Sequence, residues 1–469
     1  MERGRKLLSN TAILGAGTFI SKVLVFLLMP LYTAYLSTEE FGVADIIMQT
    51  ANLIIPIAVL GISDGLFRFT IDANPDKRKQ VFSVAVFTLF IGMAPLALII
   101  QLFRLWQVYD GFVWLLFFYI CSANLHLIIA NYVKGCDRTK VYAVQGIINT
   151  ALVIIFNVLF LVVFDMGVMG YLLSVVLADF LVSIGLIFFC RLYRDIVFKG
   201  ITADLRRDLF RFSIPYIPLA LMWTITSSSD RFVILAVMGE DATAINGLYA
   251  AAYKLPTLIT LAGGIFIKAW HISSVSESDE GQRASFFGNV YKSYTSLMFV
   301  GGACLIALSR VFTRILLNDR YYDSWQFVPV LAIAMVFSAF SEFLGSVYFV
   351  HKNSVRSLIT ASVGAIVNIT LNFALIPFLG AMGAAIATAI CYALVFLIRV
   401  IDTRKYMRFN RLPLKTIINA VVIATQAVLM IMDVPLWWIY QIAAVVILVA
   451  VNGKDLIFAV MKIIKRKKI

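Results

Sequence analysis

Ser227-Ser-Ser-Asp-Arg-Phe-Val-Ile-Leu-Ala-Val-Met-Gly239 places two charged residues, Asp230 and Arg231, in an apolar segment near the middle of the chain. The segment is long and apolar enough to cross a bilayer. A charged side chain at the centre of a membrane costs about 2.5–3.5 kcal/mol on insertion scales. We therefore expect this stretch to lie in a protein-lined, polar environment, with the rest of the chain as its scaffold.

The composition is typical of a membrane protein. Hydrophobic residues make up 61% of the 469 residues and charged residues only 14%, whereas soluble domains contain about 25% charged residues. The five cysteines are not spaced as metal ligands, and the three histidines form no zinc or triad pattern. We interpret the cysteines as small buried hydrophobic residues, and predict no metal site and no catalytic residue.

Long apolar segments predict an all-α polytopic membrane protein with 14 transmembrane helices. The prolines inside these segments predict kinks, Pro256 among them. The predicted spans are 9–36, 41–67, 81–104, 112–133, 141–164, 169–191, 210–238, 245–270, 287–310, 325–350, 357–378, 382–401, 414–432 and 435–452.

Basic residues fix the expected orientation of these spans. Of the 40 lysines and arginines, 32 fall in segments on the side of the N-terminus and 4 on the opposite side. Cytoplasmic loops are enriched in such residues, so both termini are predicted to be cytoplasmic. This bias accounts for the net charge of +14, and the excess of basic residues would attract anionic lipid headgroups. We therefore expect no nucleic-acid partner. No nucleotide-binding loop occurs, and no cofactor is predicted.

The two halves of the chain resemble one another. Gly167-Val-Met-Gly170 resembles Gly380-Ala-Met-Gly383. Two further pairs of similar segments precede these turns, in the same order in each half. We therefore predict two six-helix lobes, residues 1–200 and 201–411, followed by two extra helices and a basic cytoplasmic tail at 412–469. Because six is even, the repeats are parallel, and the substrate site is expected between the lobes.

Several stretches of the chain carry a family resemblance. They include Ser9-Asn-Thr-Ala-Ile-Leu-Gly-Ala-Gly-Thr-Phe-Ile-Ser-Lys22, Tyr249-Ala-Ala-Ala-Tyr-Lys-Leu-Pro256 and Gly380-Ala-Met-Gly-Ala-Ala-Ile-Ala-Thr388. The sequence resembles bacterial polysaccharide flippases, the Wzx-type members of the multidrug/oligosaccharidyl-lipid/polysaccharide exporter superfamily.

The resemblance implies a flippase rather than an enzyme. Its substrate would be an oligosaccharide linked to undecaprenyl diphosphate, moved from the cytoplasmic to the outer leaflet by alternating access for polysaccharide export. The protein would lie in the bacterial cytoplasmic membrane among membrane lipids. Its partners would be the lipid-linked glycan and, as a candidate, other polysaccharide-assembly proteins.

Three basic residues inside the spans, Lys22, Arg231 and Lys254, are the candidates for binding the diphosphate. Lysine and arginine bind phosphate oxygens by charge-assisted hydrogen bonds. For Arg231 a structural ion pair is the alternative, with Asp179 as a candidate partner. Adjacent residues of a helix point about 100° apart, so Asp230 is expected to be a poor direct partner for Arg231.

Acidic and aromatic residues complete the predicted site. The acids Asp179, Asp230 and Glu342 are candidates for coupling to a H⁺ or Na⁺ gradient, with hydrogen bonding inside the helix bundle as the alternative. Four tyrosines are candidates for lining the cavity and stacking on sugar rings: Tyr32, Tyr216, Tyr249 and Tyr253.

Two other functions are compatible with the pattern. An ion-coupled multidrug exporter of the same superfamily would use acidic residues for cationic drugs, whereas the best-placed charges here are basic. A membrane glycan polymerase or ligase would need a large catalytic outer loop. The longest predicted outer loop, about 309–324, is short and lacks a nucleophile–base set, which argues against this second alternative.

Overall fold

The computed structural model describes residues 23–24, 26–71, 73–276, 280–350, 354–404 and 414–466. The described residues form helices and connecting turns, with no β-strand among them. Eleven of the helices are long and apolar enough to cross a membrane, as judged by length and composition. The predicted class, an all-α polytopic membrane protein, is therefore confirmed. The chain divides into two compact units, residues 1–228 and 229–469.

The described residues of unit 1 form eight helices and the start of a ninth, α9, which ends in unit 2. Their bounds are α1 Met29–Tyr35, α2 Thr38–Ala58, α3 Ile62–Ile71, α4 Pro75–Ile99, α5 Val113–Gly135, α6 Thr139–Asn157, α7 Gly167–Phe189, α8 Ala203–Ser213 and α9 Tyr216–Val237. Helix α6 continues as a π-helical turn, Val158–Val163.

Local sequence explains where α2 and α4 begin. Ser37 and Glu40 form a reciprocal capping box at the start of α2: the Ser37 hydroxyl accepts from the Glu40 amide at 3.1 Å, and the Glu40 carboxylate accepts from the Ser37 amide at 2.8 Å. Pro75 opens α4 behind an Asn74 cap, where its missing N–H costs nothing. Helix α7 packs on both α5 and α6, which brings the middles of three spans together.

Eight further helices lie in the part of unit 2 that the structure describes. Their bounds are α10 Ala242–Lys254, α11 Thr257–Ser276, α12 Glu280–Ala307, α13 Ser309–Leu316, α14 Val328–Val350, α15 Ser354–Thr403, α16 Leu414–Ile431 and α17 Trp437–Arg466. Helix α17 extends to Arg466, so it includes part of the basic segment that was predicted to follow the last two helices.

Polar pairs join the last two helices. Lys415 of α16 forms an ion pair with Asp455 of α17. One helical turn further, Asn419 and Asn452 exchange two amide hydrogen bonds of 3.0 and 3.1 Å. Buried polar groups in a membrane protein need such partners because lipid offers none. Both helices also pack on α12, so this hairpin is part of unit 2.

Two helix breaks alter the predicted span pattern. The predicted span 245–270 is divided at Pro256 into α10 and α11, as expected for a proline that lacks the amide hydrogen of a continuing helix. The predicted spans 357–378 and 382–401 both lie in α15, which bends at Gly380. Most of the predicted first span lies outside the described residues, so the count of fourteen stays a prediction, as do the proposed lobe boundaries.

The two Gly-x-x-Gly turns have similar local geometry. Gly167 and Gly380 both have a positive φ, 52° and 56°, which a residue without a Cβ adopts at little cost. A side-chain carbon at Gly170 would lie 3.2 Å from the Phe160 carbonyl oxygen, and one at Gly383 would lie 2.6 Å from that of Leu375. Each turn therefore allows a close approach of the chain segments in its own unit.

Candidate functional site

Arg231 and Asp230 form a buried ion pair on α9. The Arg231 Nη1 donates to Asp230 Oδ1 at 2.8 Å, and the two residues are 2% and 0% exposed. The expectation that Asp230 is a poor partner for Arg231 is therefore wrong. The long arginine side chain folds back onto the preceding carboxylate, so the 100° between their Cβ directions does not keep the charges apart.

Two tyrosines of α10 complete this pair. The Tyr249 hydroxyl donates to Asp230 Oδ2 at 2.5 Å. The Arg231 guanidinium lies 4.3 Å from the Tyr253 ring centroid and 5.2 Å from that of Tyr249, within the range of cation–π attraction. Both carboxylate oxygens of Asp230 thus have a donor, and the pair connects α9 to α10.

A second polar cluster lies beside the ion pair, between α9 and α15. Ser229 donates to Asn368 Oδ1 at 2.5 Å, and Asn372 donates to Ser229 Oγ at 3.3 Å. Asn368 also donates to Thr388 at 3.3 Å. The Asn372 Oδ1 atom is buried with no hydrogen-bond partner among the described residues. The sequence reasoning missed this cluster, although amide side chains in an apolar span are a signal for polar contacts between helices.

Lys254 is the last residue of α10 and lies two residues before Pro256. Its side chain is partly exposed, and its backbone carbonyl accepts from the Thr257 hydroxyl at 2.5 Å. Lys22, the third predicted cation, lies outside the described residues. Of the two predicted cations that the structure describes, Arg231 is neutralised inside unit 2, whereas Lys254 lies at a helix break.

Asp179 belongs to a separate cluster in unit 1. Its Oδ1 atom lies 2.9 Å from His126 Nδ1 and accepts from Asn149 Nδ2 at 2.6 Å. The other ring nitrogen of His126, Nε2, lies 2.7 Å from Gln145 Oε1. The partner of Arg231 is therefore Asp230, and Asp179 pairs with a histidine that the sequence reasoning did not single out.

Glu342 is exposed on α14 and interacts electrostatically with Arg399 of α15. Arg399 is 1% exposed and donates to Thr360 Oγ1 at 2.9 Å and to the Ser341 carbonyl at 2.6 Å. Arg399 is one of the 32 basic residues that the sequence pattern places on the side of the N-terminus. The structure instead buries this cation near the end of α15, where hydroxyl and carbonyl oxygens solvate it.

The four predicted sugar-stacking tyrosines have different environments. Tyr32 is buried with its ring 4.6 Å from that of Tyr171, and Tyr249 is buried above Asp230. Protein therefore encloses both rings in this structure. Tyr216 is exposed beside Phe212, and Tyr253 is partly exposed beneath Arg231. Sugar stacking stays a prediction for all four tyrosines.

The site has no signature of a metal centre in the part of the chain that the structure describes. No group of three or more histidine, cysteine, aspartate or glutamate side chains that could hold a metal ion occurs there. All five cysteines are free. The chemistry available at these clusters is ion pairing, hydrogen bonding and proton binding.

The sequence matches the model of one protein family. A family model described as "Polysaccharide biosynthesis protein" matches residues 7–270, which is more than half of the chain. Among curated proteins, none matches the sequence.

Several solved structures share the fold at low sequence identity. A structure of the lipid II flippase MurJ in an inward closed conformation has a TM-score of 0.72 at 13% identity, covering 96% of this chain and 100% of that one. An inward-facing multidrug resistance MATE family transporter of the MOP superfamily has a TM-score of 0.66 at 14% identity, covering 83% and 96%. A MOP superfamily transporter from Pyrococcus furiosus has a TM-score of 0.54 at 13% identity, covering 85% and 96%. The fold is thus one found in membrane transporters.

Proposed function

Because the chain belongs to the polysaccharide biosynthesis protein family, we propose that it is a flippase for a lipid-linked oligosaccharide. The proposed cargo is an oligosaccharide on undecaprenyl diphosphate, moved from the cytoplasmic to the outer leaflet by alternating access. The observation that carries the proposal is the family match, supported by the likeness of nearly the whole chain to a lipid II flippase.

The chemistry of the cargo agrees with the charged residues of the chain. A diphosphate does not cross hydrocarbon unaided, whereas the lipid tail can stay in the membrane. Lys22 and Lys254 are the proposed direct contacts of the diphosphate, through charge-assisted hydrogen bonds. The burial of Arg231 with Asp230 favours its structural alternative. We therefore propose that Arg231 holds Tyr253, and with it the adjacent Lys254, in place.

The remaining features of the proposal concern location and energy. We propose that the protein lies in the bacterial cytoplasmic membrane with both termini in the cytoplasm, and that it works alongside other polysaccharide-assembly proteins. Transport is proposed to draw on a H⁺ or Na⁺ gradient. No catalytic step on the glycan is proposed.

Multidrug export is the second candidate function. It is supported by the likeness to a multidrug resistance transporter and by the partly accessible carboxylate of Asp179, whose side chain is 14% exposed. The basic residues Lys22 and Lys254 favour an anionic cargo instead. Expression in a drug-sensitive host separates the two functions, because a multidrug exporter would raise resistance to several cationic dyes.

Deletion of the gene tests the proposal directly. Mass spectrometry of lipid extracts should then detect an accumulated undecaprenyl-diphosphate-linked oligosaccharide, and the surface should lose the corresponding glycan. Re-expression of the wild-type chain should reverse both changes. Unchanged lipid-linked intermediates, together with a loss of dye export, would favour the multidrug function.

A further inference from the structure

Four polar side chains from three helices of unit 1 meet in the membrane-spanning region. They are His126 of α5, Gln145 and Asn149 of α6, and Asp179 of α7. The two ring nitrogens of His126 face two oxygens, Asp179 Oδ1 at 2.9 Å and Gln145 Oε1 at 2.7 Å. Asn149 Nδ2 lies 3.2 Å from His126 Nδ1 and donates to Asp179 at 2.6 Å.

This cluster lies about halfway along its helices. His126 lies 13 positions after the first residue of α5, and Asp179 lies 12 positions after the first residue of α7. Each helix has 23 residues. At 1.5 Å per residue, both lie about 18–20 Å from the helix start. Apart from this pair, the only Asp, Glu, Lys, Arg or His residues in these three spans are Lys134 and Lys140 near their ends.

The partners of His126 suit two protonation states of the ring. A doubly protonated ring can donate to Asp179 Oδ1 and to Gln145 Oε1, whereas in a neutral ring Nδ1 can accept from Asn149 Nδ2. A carboxamide has both donor and acceptor atoms, so rotation of the Gln145 amide lets its NH₂ donate to a deprotonated Nε2. The side chains of His126 and Asp179 are 19% and 14% exposed, so protein does not fully enclose the pair.

Other titratable groups near the cluster do not replace this pair. Tyr119 of α5 interacts electrostatically with Asp179, and Tyr171 of α7 interacts with Tyr119 and with Asp45 of α2. From α3, Asp64 interacts with Lys134, which lies eight residues, about 12 Å, beyond His126 along α5. Histidine is the side chain whose unperturbed charge changes nearest neutral pH, so it is the group in this set best suited to exchange protons there.

We propose that His126 and Asp179 form a proton-binding site that couples the H⁺ gradient to transport, an inference that rests on the proposed function. Proton binding gives a neutral ion pair hydrogen-bonded across α5, α6 and α7. Proton release to water leaves one net negative charge on Asp179 in an apolar region, which weakens the attraction among the three helices. The two states thus differ in how firmly the middles of these helices are joined.

Histidine NMR on the full chain in lipid nanodiscs tests proton binding without any transport assay. The chain has three histidines, His126, His271 and His351, so His126→Gln identifies the relevant ¹⁵N resonances. We expect those resonances to titrate between about pH 5 and 9. Asp179→Asn should lower the midpoint by about one pH unit or more, because the imidazolium loses its charged partner. Asp195→Asn, which alters a unit 1 carboxylate bonded to Tyr132, is the matched control and should leave the midpoint unchanged.

A second variant guards against misfolding of Asp179→Asn. Gln145→Leu removes the amide at Nε2 and leaves the pair itself intact. It should also lower the midpoint, because the amide's hydrogen bond to the charged imidazolium is stronger than its hydrogen bond to the neutral ring. Thermal melting reports on folding. His126 resonances that stay constant over this pH range, or a midpoint that neither variant moves, would overturn the proposal and leave a static hydrogen bond.

Transport is then compared with proton binding in the same variants. Surface glycan should depend on the transmembrane pH gradient in cells with the wild-type chain and lose that dependence with His126→Gln. An unchanged dependence in His126→Gln would refute coupling through this pair. If deletion of the gene accumulates lipid-linked oligosaccharide but His126 does not titrate, only this inference fails. If His126 titrates but no such intermediate accumulates, the proposed function fails.

Discussion

The Arg231 guanidinium lies 2.8 Å from the carboxylate of its own neighbour in the sequence, Asp230. Tyr249 donates to the second oxygen of that carboxylate, and the guanidinium lies over the Tyr253 ring, 4.3 Å from its centroid. A pair of opposite charges enclosed in this way is strongly sensitive to the loss of one member, because the other charge stays buried without compensation. Its role can therefore be tested through stability, apart from transport.

Asp230→Asn should destabilise the protein by about 3–5 kcal/mol, the cost of breaking a buried pair by removing one partner. Arg231→Gln should be similarly harmful, and the double variant should be less destabilised than the sum of the two. Thermal melting in detergent and the amount of protein in the membrane provide the measurements. A strictly additive double variant would contradict the buried pair.

Tyr249→Phe should cost about 1–3 kcal/mol, because it removes the hydroxyl that donates to a buried carboxylate oxygen. Tyr216→Phe is the matched control, since Tyr216 is exposed and its substitution should be close to neutral. The comparison uses the same melting assay. Equal melting temperatures for both variants would show that the Tyr249 hydroxyl does not stabilise Asp230.

Lys254→Ala should reduce surface glycan severely while leaving the protein folded, because the side chain is partly exposed at a helix break. Lys254→Arg should retain much of the function, since arginine also binds phosphate oxygens. Lys292→Ala serves as the control, because Lys292 is exposed on α12. Normal glycan in cells with Lys254→Ala at wild-type protein levels would remove Lys254 from the proposed diphosphate contacts.

Gly345→Ala should destabilise unit 2 by about 1–3 kcal/mol, the usual cost of overpacking. Its new methyl group would lie 2.6 Å from Arg399 Nη1, whereas the equivalent change at Gly301 meets open space. Gly301→Ala on α12 is therefore the matched control for melting and expression. Indistinguishable melting of the two variants would show that Arg399 moves aside without cost.

The helical class could be predicted from the sequence, since spans of apolar residues and the distribution of basic residues depend only on local composition. The break at Pro256 was equally readable, because it follows from the chemistry of one residue. The ion-pair partner of Arg231 could not be predicted from the sequence. The position of Asp230 beside Arg231 argued against their pairing, yet the length and flexibility of the arginine side chain allow it.

The partners of buried polar residues also could not be predicted from the sequence. His126 looked isolated because its partners, Gln145 and Asp179, come from two other helices, and only tertiary packing brings them together. Arg399 lies where an apolar span meets a basic segment, so its position alone suggested a surface residue. Its burial depends on oxygens of Thr360 and Ser341, which no sequence period reveals.

The central claim is that the protein carries a lipid-linked oligosaccharide across the membrane. The most direct test depletes the protein and probes intact spheroplasts with a lectin that cannot cross the membrane, while mass spectrometry measures the lipid-linked pool. We predict that the undecaprenyl-diphosphate-linked oligosaccharide accumulates and becomes inaccessible to the lectin until the protein is re-expressed. An accumulated pool that stays accessible from outside, or a pool that does not change, would contradict the account.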